Sequence, residues 1–258
     1  FSSTDKDSAL SYIHDLGFIA KVKDGQKGFK VMLGGGLGSQ PRHADLMYEF
    51  IPTDQIIPLI ESVLRIFDRH GERAKRLKAR MKFLLKDVGL DGFLQLIEEE
   101  KLALSYHSYP ISEEGFEFDR SVVDSISVPK VDLKDVDGYE KWRNSNVYQQ
   151  KQEGLFSIGI KVRLGDFYTD KARKLASLIQ RYAADELRLT LRQDILIRHV
   201  KADLLPLFYL ELKELGFTDL GYNSTADITA CPGTDTCNLG IASSTGIAEV
   251  LEKVLEEE

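Results

Sequence analysis

The chain has 258 residues, enough for one large domain or two ordinary ones. Apolar residues make up 43% of it and charged residues 29%, a globular balance, and no apolar run reaches the roughly 18 residues that a membrane span needs. A formal charge of −7 and the lack of any secretory or transit pattern predict a cytoplasmic protein with neither nucleic acid nor membrane as a partner.

In chain order, Thr4 or Asp5 can cap a short helix through Leu10. Leu16–Val22 and Gly28–Leu33 read as strands, with Asp24-Gly25 as the turn signal between them. Gly34-Gly35-Gly36-Leu37-Gly38 follows the second strand directly. Three glycines there let backbone amides face an anion with no side chain in the way. No Lys-Ser/Thr follows, so this is not a Walker loop, and the dinucleotide spacing also fails. A bulge or tight turn is the plainer alternative.

Thr53–Arg69 reads as a helix capped by Thr53, with Ile56, Leu59, Val63, Leu64 and Phe67 in its apolar stripe and Pro58 near its start. Gly71 breaks it. Glu72–Val88 reads as a second helix, with Leu77, Met81, Leu84, Leu85 and Val88 buried. Arg73, Arg76 and Arg80 share another face, and Lys75, Lys78, Lys82 and Lys86 a third. Taken alone, these cations are a solvated face. Asp91–Leu102 is a further amphipathic helix. Ser105–Gln152 loses periodicity and reads as a connector with one short strand. His107 and His199 stand apart from the cysteines and read as surface or satisfied histidines.

Gly154–Leu164 is predicted as a strand, Thr169–Ala184 as a helix, Glu186–Thr190 and Asp194–His199 as strands, and Asp203–Leu215 as a helix with a last strand after it. That order is βαββαβ, the ferredoxin-like pattern, which by itself fits many binding modules. Thr225–Ala230 then reads as a strand leading to Cys231, and Pro232-Gly233 as a turn. Thr234 or Asp235 is predicted to cap a helix that starts near Cys237 and runs towards Glu258. Cys237 would then sit in a first helical turn, where the macrodipole favours a thiolate. These are the only two cysteines, and from spacing alone they read as two buried, inert thiols, with a disulfide the lesser alternative.

The words around them narrow this. A-C-P-G-T-D-T-C-N-L-G-I resembles the first cysteine pair of the assimilatory sulfite and nitrite reductases, which carry sirohaem coupled to a [4Fe–4S] cluster. G-F-K-V-M-L-G-G-G-L-G-S-Q-P resembles that family's segment beside the macrocycle, and K-A-R-M-K with the following D-V-G resembles its basic sirohaem-binding helix. L-R-L-T-L-R-Q-D-I-L-I, preceded by K-V-R-L-G-D, resembles the second of its two half-domains.

The resemblance implies an α+β fold. Residues 1–104 form part of a mixed α/β sirohaem-binding domain and 105–152 a connector. Residues 153–224 form a ferredoxin-like half-domain, and 225–258 the start of a second sirohaem-binding-type domain. It implies a six-electron reduction of sulfite to sulfide, or of nitrite to ammonia, with electrons from ferredoxin or a flavoprotein. Gly34, Gly35, Gly36, Lys78, Arg80, Lys82, Thr190, Arg192 and Gln193 are the implied cofactor-binding residues, and Cys231 and Cys237 the implied cluster ligands. No catalytic residue is assigned, and Arg163 is not given the family's substrate-contacting role, because the first half-domain supplies that arginine. A [4Fe–4S] cluster takes four thiolates and this sequence has two. The expectation is an internal fragment, inactive alone, whose partners are the missing N- and C-terminal parts of the same enzyme. The wording around the cysteines leans to sulfite. A precorrin-modifying oxygenase of the same superfamily and a noncatalytic ferredoxin-like binding module are the alternatives.

Overall fold

The computed structural model describes residues 1–38, 40–112, 118–183, 186–238 and 240–257. Ser39, Gly115, Ala184, Leu239 and Glu258, which the predicted segments include, lie outside the described residues. The chain divides into two units, Phe1–Glu117 and Phe118–Glu258.

In the first unit, β1 (Leu16–Lys23) and β2 (Gln26–Leu33) pair antiparallel from Lys23↔Gln26 to Leu16↔Leu33. Asp24 and Gly25 both take positive φ, 51° and 78°, the turn geometry whose twist matches a two-residue hairpin. β3 (Asp45–Pro52), a strand not foreseen from the sequence, adds to the other edge of β2. The helix expected through Leu10 does not form. Asp7 instead takes hydrogen bonds from the Ser11 amide and hydroxyl, and a short 3-10 turn occupies Ser11–Ile13.

α1 (Ile56–His70) buries Ile56, Leu59, Val63 and Ile66, the i, i+3, i+7, i+10 stripe, whereas Leu64 is exposed. Thr53 does not cap it. A 3-10 turn over Thr53–Gln55 precedes α1, so Pro58 falls in the first turn, where no intrahelical donor is lost. α2 (Met81–Ala103) is broken at Gly89, which takes φ 74°. The predicted helix over 72–80 is not there: the stretch is irregular, with a 3-10 turn over Arg76–Lys78. Five cations lie between 73 and 80, and in a helix they would repel at i, i+3 and i+4. Leu77, the one apolar residue long enough to anchor that stretch, is 82% exposed. The Glu72 carboxylate takes the amides of Ala74 and Lys75 instead. The core is Phe18, Val31 and Leu33 from the sheet against Leu59, Leu85 and Phe93 from the helices.

The second unit adds order to the expected connector. Asp119 caps α3 (Arg120–Asp124) and Asp135 caps α4 (Val136–Asn146), whose Trp142 is fully buried. The half-domain then runs β5 (Leu155–Ile160), α5 (Thr169–Tyr182), β6 (Leu187–Leu189), β7 (Ile195–Lys201) and α6 (Leu205–Leu215). α5 crosses from β5 to β6, and β7 fits antiparallel between them. The last strand expected after α6 does not form. Its place beside β5 is taken by β4 (Val147–Gln149), which comes before β5 in the chain, giving the order β4-β5-β7-β6. The core gathers Trp142, Ile158, Leu175, Ile197, Phe208 and Leu212.

Thr225–Ala230 is not a strand, and the last helix, α7 (Ser244–Glu257), begins seven residues beyond Cys237. Ser243, not Thr234 or Asp235, accepts from the Gly246 amide as its cap. Gly233–Asp235 forms only a 3-10 turn. Among the described residues no helix is long and apolar enough to cross a membrane.

Candidate functional site

In the first unit the glycine run leaves the end of β2 and folds back over its own neighbours. The Gly34 amide donates to Asp15 O (2.8 Å), Gly35 to His14 O (3.0 Å) and Gly36 to Arg42 O (2.9 Å). These amides therefore brace the loop and do not face open space, as the sequence alone suggested. The glycines are needed for close approach. A Cβ on Gly35 would lie 2.4 Å from Tyr12 O, and one on Gly34, at φ +78°, 2.5 Å from a Leu85 methyl. A Cβ on Gly36 would lie 3.2 Å from the Lys82 stem and 3.3 Å from Arg80 Nη2.

The three predicted cations separate into three roles. Lys82 is buried, and its ammonium donates to Leu37 O (2.9 Å) and Gln40 O (2.6 Å), tying the far side of the loop to α2. Arg80, half exposed, sits just ahead of α2 and grips Asp15 through Nε (3.2 Å) and Nη2 (2.8 Å). Lys78 lines a cleft of about 580 Å³ together with Arg73, Lys75, Lys86 and the carboxylates of Glu72 and Asp87. The sequence pattern did not single out Arg42, which donates to Gly34 O (3.1 Å) and to Asp45 (2.6 Å). Its one signal was its position just past the glycines.

In the second unit Thr190 and Gln193 sit in the β6–β7 turn. Thr190 Oγ1 accepts from the amides of Arg192 and Asp194, each at 3.2 Å, which fixes the turn and leaves Arg192 exposed. Gln193 takes a left-handed φ of 68°. Its side chain meets Ala230, next to Cys231: Nε2 donates to Ala230 O (2.9 Å) and Oε1 accepts from Ala230 N (3.2 Å). Deeper in, Asp194 accepts from the Val162 amide (2.8 Å), Lys161 donates to Ala226 O (2.7 Å), and Glu252 of α7 lies 3.7 Å from Lys161 and 3.5 Å from Arg163. Burial pushes the Asp194 carboxyl up to about 7, and the neighbouring Asp227 carboxylate adds to the shift.

Cys231 and Cys237 are exposed and not joined in a disulfide. The Cys231 thiol lies 3.4 Å from Ser244 Oγ. That contact, with help from the Gly233 amide, holds the thiol below its ordinary range. Cys237 lies ahead of α7 and not inside its first turn, so the expected macrodipole effect does not apply to it. Among the described residues no group of three or more His, Cys, Asp and Glu could hold a metal ion. The pair offers two thiols, against the four that a [4Fe–4S] cluster takes.

The family model for the nitrite and sulphite reductase 4Fe-4S domain matches residues 1–104, and the nitrite/sulfite reductase ferredoxin-like half domain matches residues 148–215. The chain is 27% identical over 248 residues to the ferredoxin–nitrite reductase of Synechococcus elongatus, covering 95% of this chain and 44% of that one. It is 26% identical to sulfite reductase [ferredoxin] 1 of Mycolicibacterium paratuberculosis, covering 94% of this chain and 40% of that one. The solved structure of the Mycobacterium tuberculosis NirA protein matches with a TM-score of 0.71 at 25% identity, over 98% of this chain and 42% of its own. The chain thus spans less than half the length of these relatives. With both matched domains in the order the motifs require, the chain belongs to the nitrite and sulfite reductase family.

Proposed function

We propose that this chain is part of a sirohaem- and [4Fe–4S]-dependent reductase that takes sulfite to sulfide, or nitrite to ammonia, with ferredoxin as the electron donor. The observation that carries the reading is the sequel to the two matched domains: a loop with two exposed, unpaired thiols behind the half-domain. Ferredoxin is preferred to a flavoprotein because relatives of both substrate types are named for it. The less-than-half span and the two cysteines support a share in a longer enzyme, inactive without the rest.

Cys231 and Cys237 would hold two corners of the cluster, with Ser244 and the Gly233 amide favouring the Cys231 thiolate that such a bond needs. Sirohaem carries several carboxylates, and the cleft at Lys78 offers them four Lys and Arg side chains, Arg73, Lys75, Lys78 and Lys86, against two carboxylates, Glu72 and Asp87. Arg80 can meet a carboxylate bidentately by releasing Asp15, since a half-exposed ion pair is worth about 1 kcal/mol or less. Lys82 and the buried Gly34, Gly35 and Gly36 would fix the shape of the loop beside the macrocycle, the glycines by packing closely against Tyr12, Leu85 and Lys82. Thr190 would hold the turn that presents Arg192. When bound, the two groups would supply the iron that takes the substrate anion and the path for six electrons to it.

The test is the full-length parent enzyme, purified without oxygen. A sirohaem absorption band with an iron–sulfur signal is expected, and Arg80→Ala should lower sirohaem occupancy. A colourless parent protein would overturn the function, and unchanged haem absorbance in the variant would overturn the Arg80 assignment.

A further inference from the structure

The segment that delivers Cys231 has no strand to hold it. From Thr225 to Ala230 the backbone joins no ladder, yet both polar groups of Ala230 are satisfied, and by one side chain. The primary amide of Gln193 donates at 2.9 Å and accepts at 3.2 Å, as the facing residue of a hydrogen-bonded antiparallel pair would. Two bonds from one planar group fix both distance and orientation, which a single bond does not.

The clamp is itself held. Gln193 sits at φ 68°, in a turn that Thr190 closes from both sides. Against its side chain stands Gly165, at φ +74°, where a Cβ would lie 3.1 Å from Gln193 Cβ. Asp194, next along, is buried and anchored to the Val162 amide. Gln193 therefore projects from a rigid base towards the residue that precedes Cys231.

We propose that Gln193 is a positioning residue for the first cluster cysteine: its amide, spent on Ala230, sets where the Cys231 sulfur stands and does not contact the cofactor itself. This rests on the reading of Cys231 as a cluster ligand. It also reassigns Gln193 from the cofactor-contacting set to the support of the cysteine loop.

Gln193→Met in the 258-residue chain keeps side-chain length and removes both bonds. Hydrogen exchange at the Ala230 amide should speed about fivefold, the range for one net hydrogen bond, while the β7 amides of Ile195–Lys201 and the fluorescence of buried Trp142 stay as in the parent. Unchanged exchange at Ala230, or equal loss of protection along β7, would overturn the clamp. In the full-length parent enzyme the same variant should keep its labile sulfide but shift the electron-paramagnetic signature of the reduced cluster. An unaltered signature would overturn the positioning role. A parent enzyme without labile sulfide would remove Cys231 as a ligand and with it this role, whereas the exchange measurement reports separately on whether the clamp exists.

Discussion

The glycine loop of the first unit and the cysteine loop of the second differ in what delivers them, a strand in one and side chains in the other. The glycine loop hangs from regular structure: β2 leads into it, three of its amides bond backbone carbonyls, and buried Lys82 closes it from α2. The cysteine loop follows no strand and precedes its helix by several residues. Side chains hold its approach, Gln193 on Ala230, Lys161 on Ala226 and Ser244 on Cys231, while backbone bonds fold the loop on itself, from the Cys237 amide to Gly233 O (2.9 Å) and from the Thr234 amide to Ala242 O (3.3 Å). A scaffolded loop depends on a few buried groups, each of large effect. In the cysteine loop the contacts of Gln193 and Ser244 are exposed and individually of small effect, whereas Lys161 beneath Ala226 is buried and paired with Glu252.

The largest effect expected follows from Lys82. Lys82→Met keeps the stem but leaves Leu37 O and Gln40 O without their donor, and the first unit should lose about 3 kcal/mol, read by urea denaturation. A loss below about 1 kcal/mol would mean that Lys82 does not hold the loop.

Gly34→Ala comes next. It forces a Cβ onto a left-handed residue and against Leu85, and should cost about 2 kcal/mol in the same measurement. A neutral result would show that the loop yields easily and would erase the contrast with the cysteine loop.

The second unit should instead respond to pH. The Asp194 carboxyl titrates near 7 in the folded chain, against about 4 when unfolded, so the fold holds its proton more tightly. That contribution is complete below about pH 4 and is lost as pH rises through about 7. Urea midpoints for the second unit should fall across that window, and Asp194→Asn should flatten the fall. An unchanged slope in the variant would place the titrating group elsewhere.

The smallest effect belongs to the exposed pair of Arg80 and Asp15. Asp15→Asn should change stability by about 0.5 kcal/mol. A cost above about 2 kcal/mol would mean that Arg80 is structural and not available to a cofactor carboxylate.

The contrast also explains what could be read from the residues alone. The β1–β2 hairpin was readable because alternation and Asp24-Gly25 specify it locally, and α5 because Leu175, Leu178 and Ile179 recur at helical spacing. The half-domain order was readable up to its last strand, since no local signal tells that β4, from before β5, takes that edge. The basic stretch at 72–80 misled because a 3.6-residue pattern of charges says nothing of the repulsion among them, and no buried apolar face was there to offset it. The cysteine words were readable as a motif, but their conformation was not. It depends on Gln193, Lys161 and Ser244, distant in sequence and brought near only by the fold.

The most direct test of the central claim is the labile sulfide and iron content of the proposed full-length enzyme, purified without oxygen, beside its Cys231→Ser variant. About four sulfides per chain in the parent, and a marked loss in the variant, are the expected result. A parent enzyme with no labile sulfide, or a variant that keeps all of it, would contradict the assignment of this cysteine pair to a cluster.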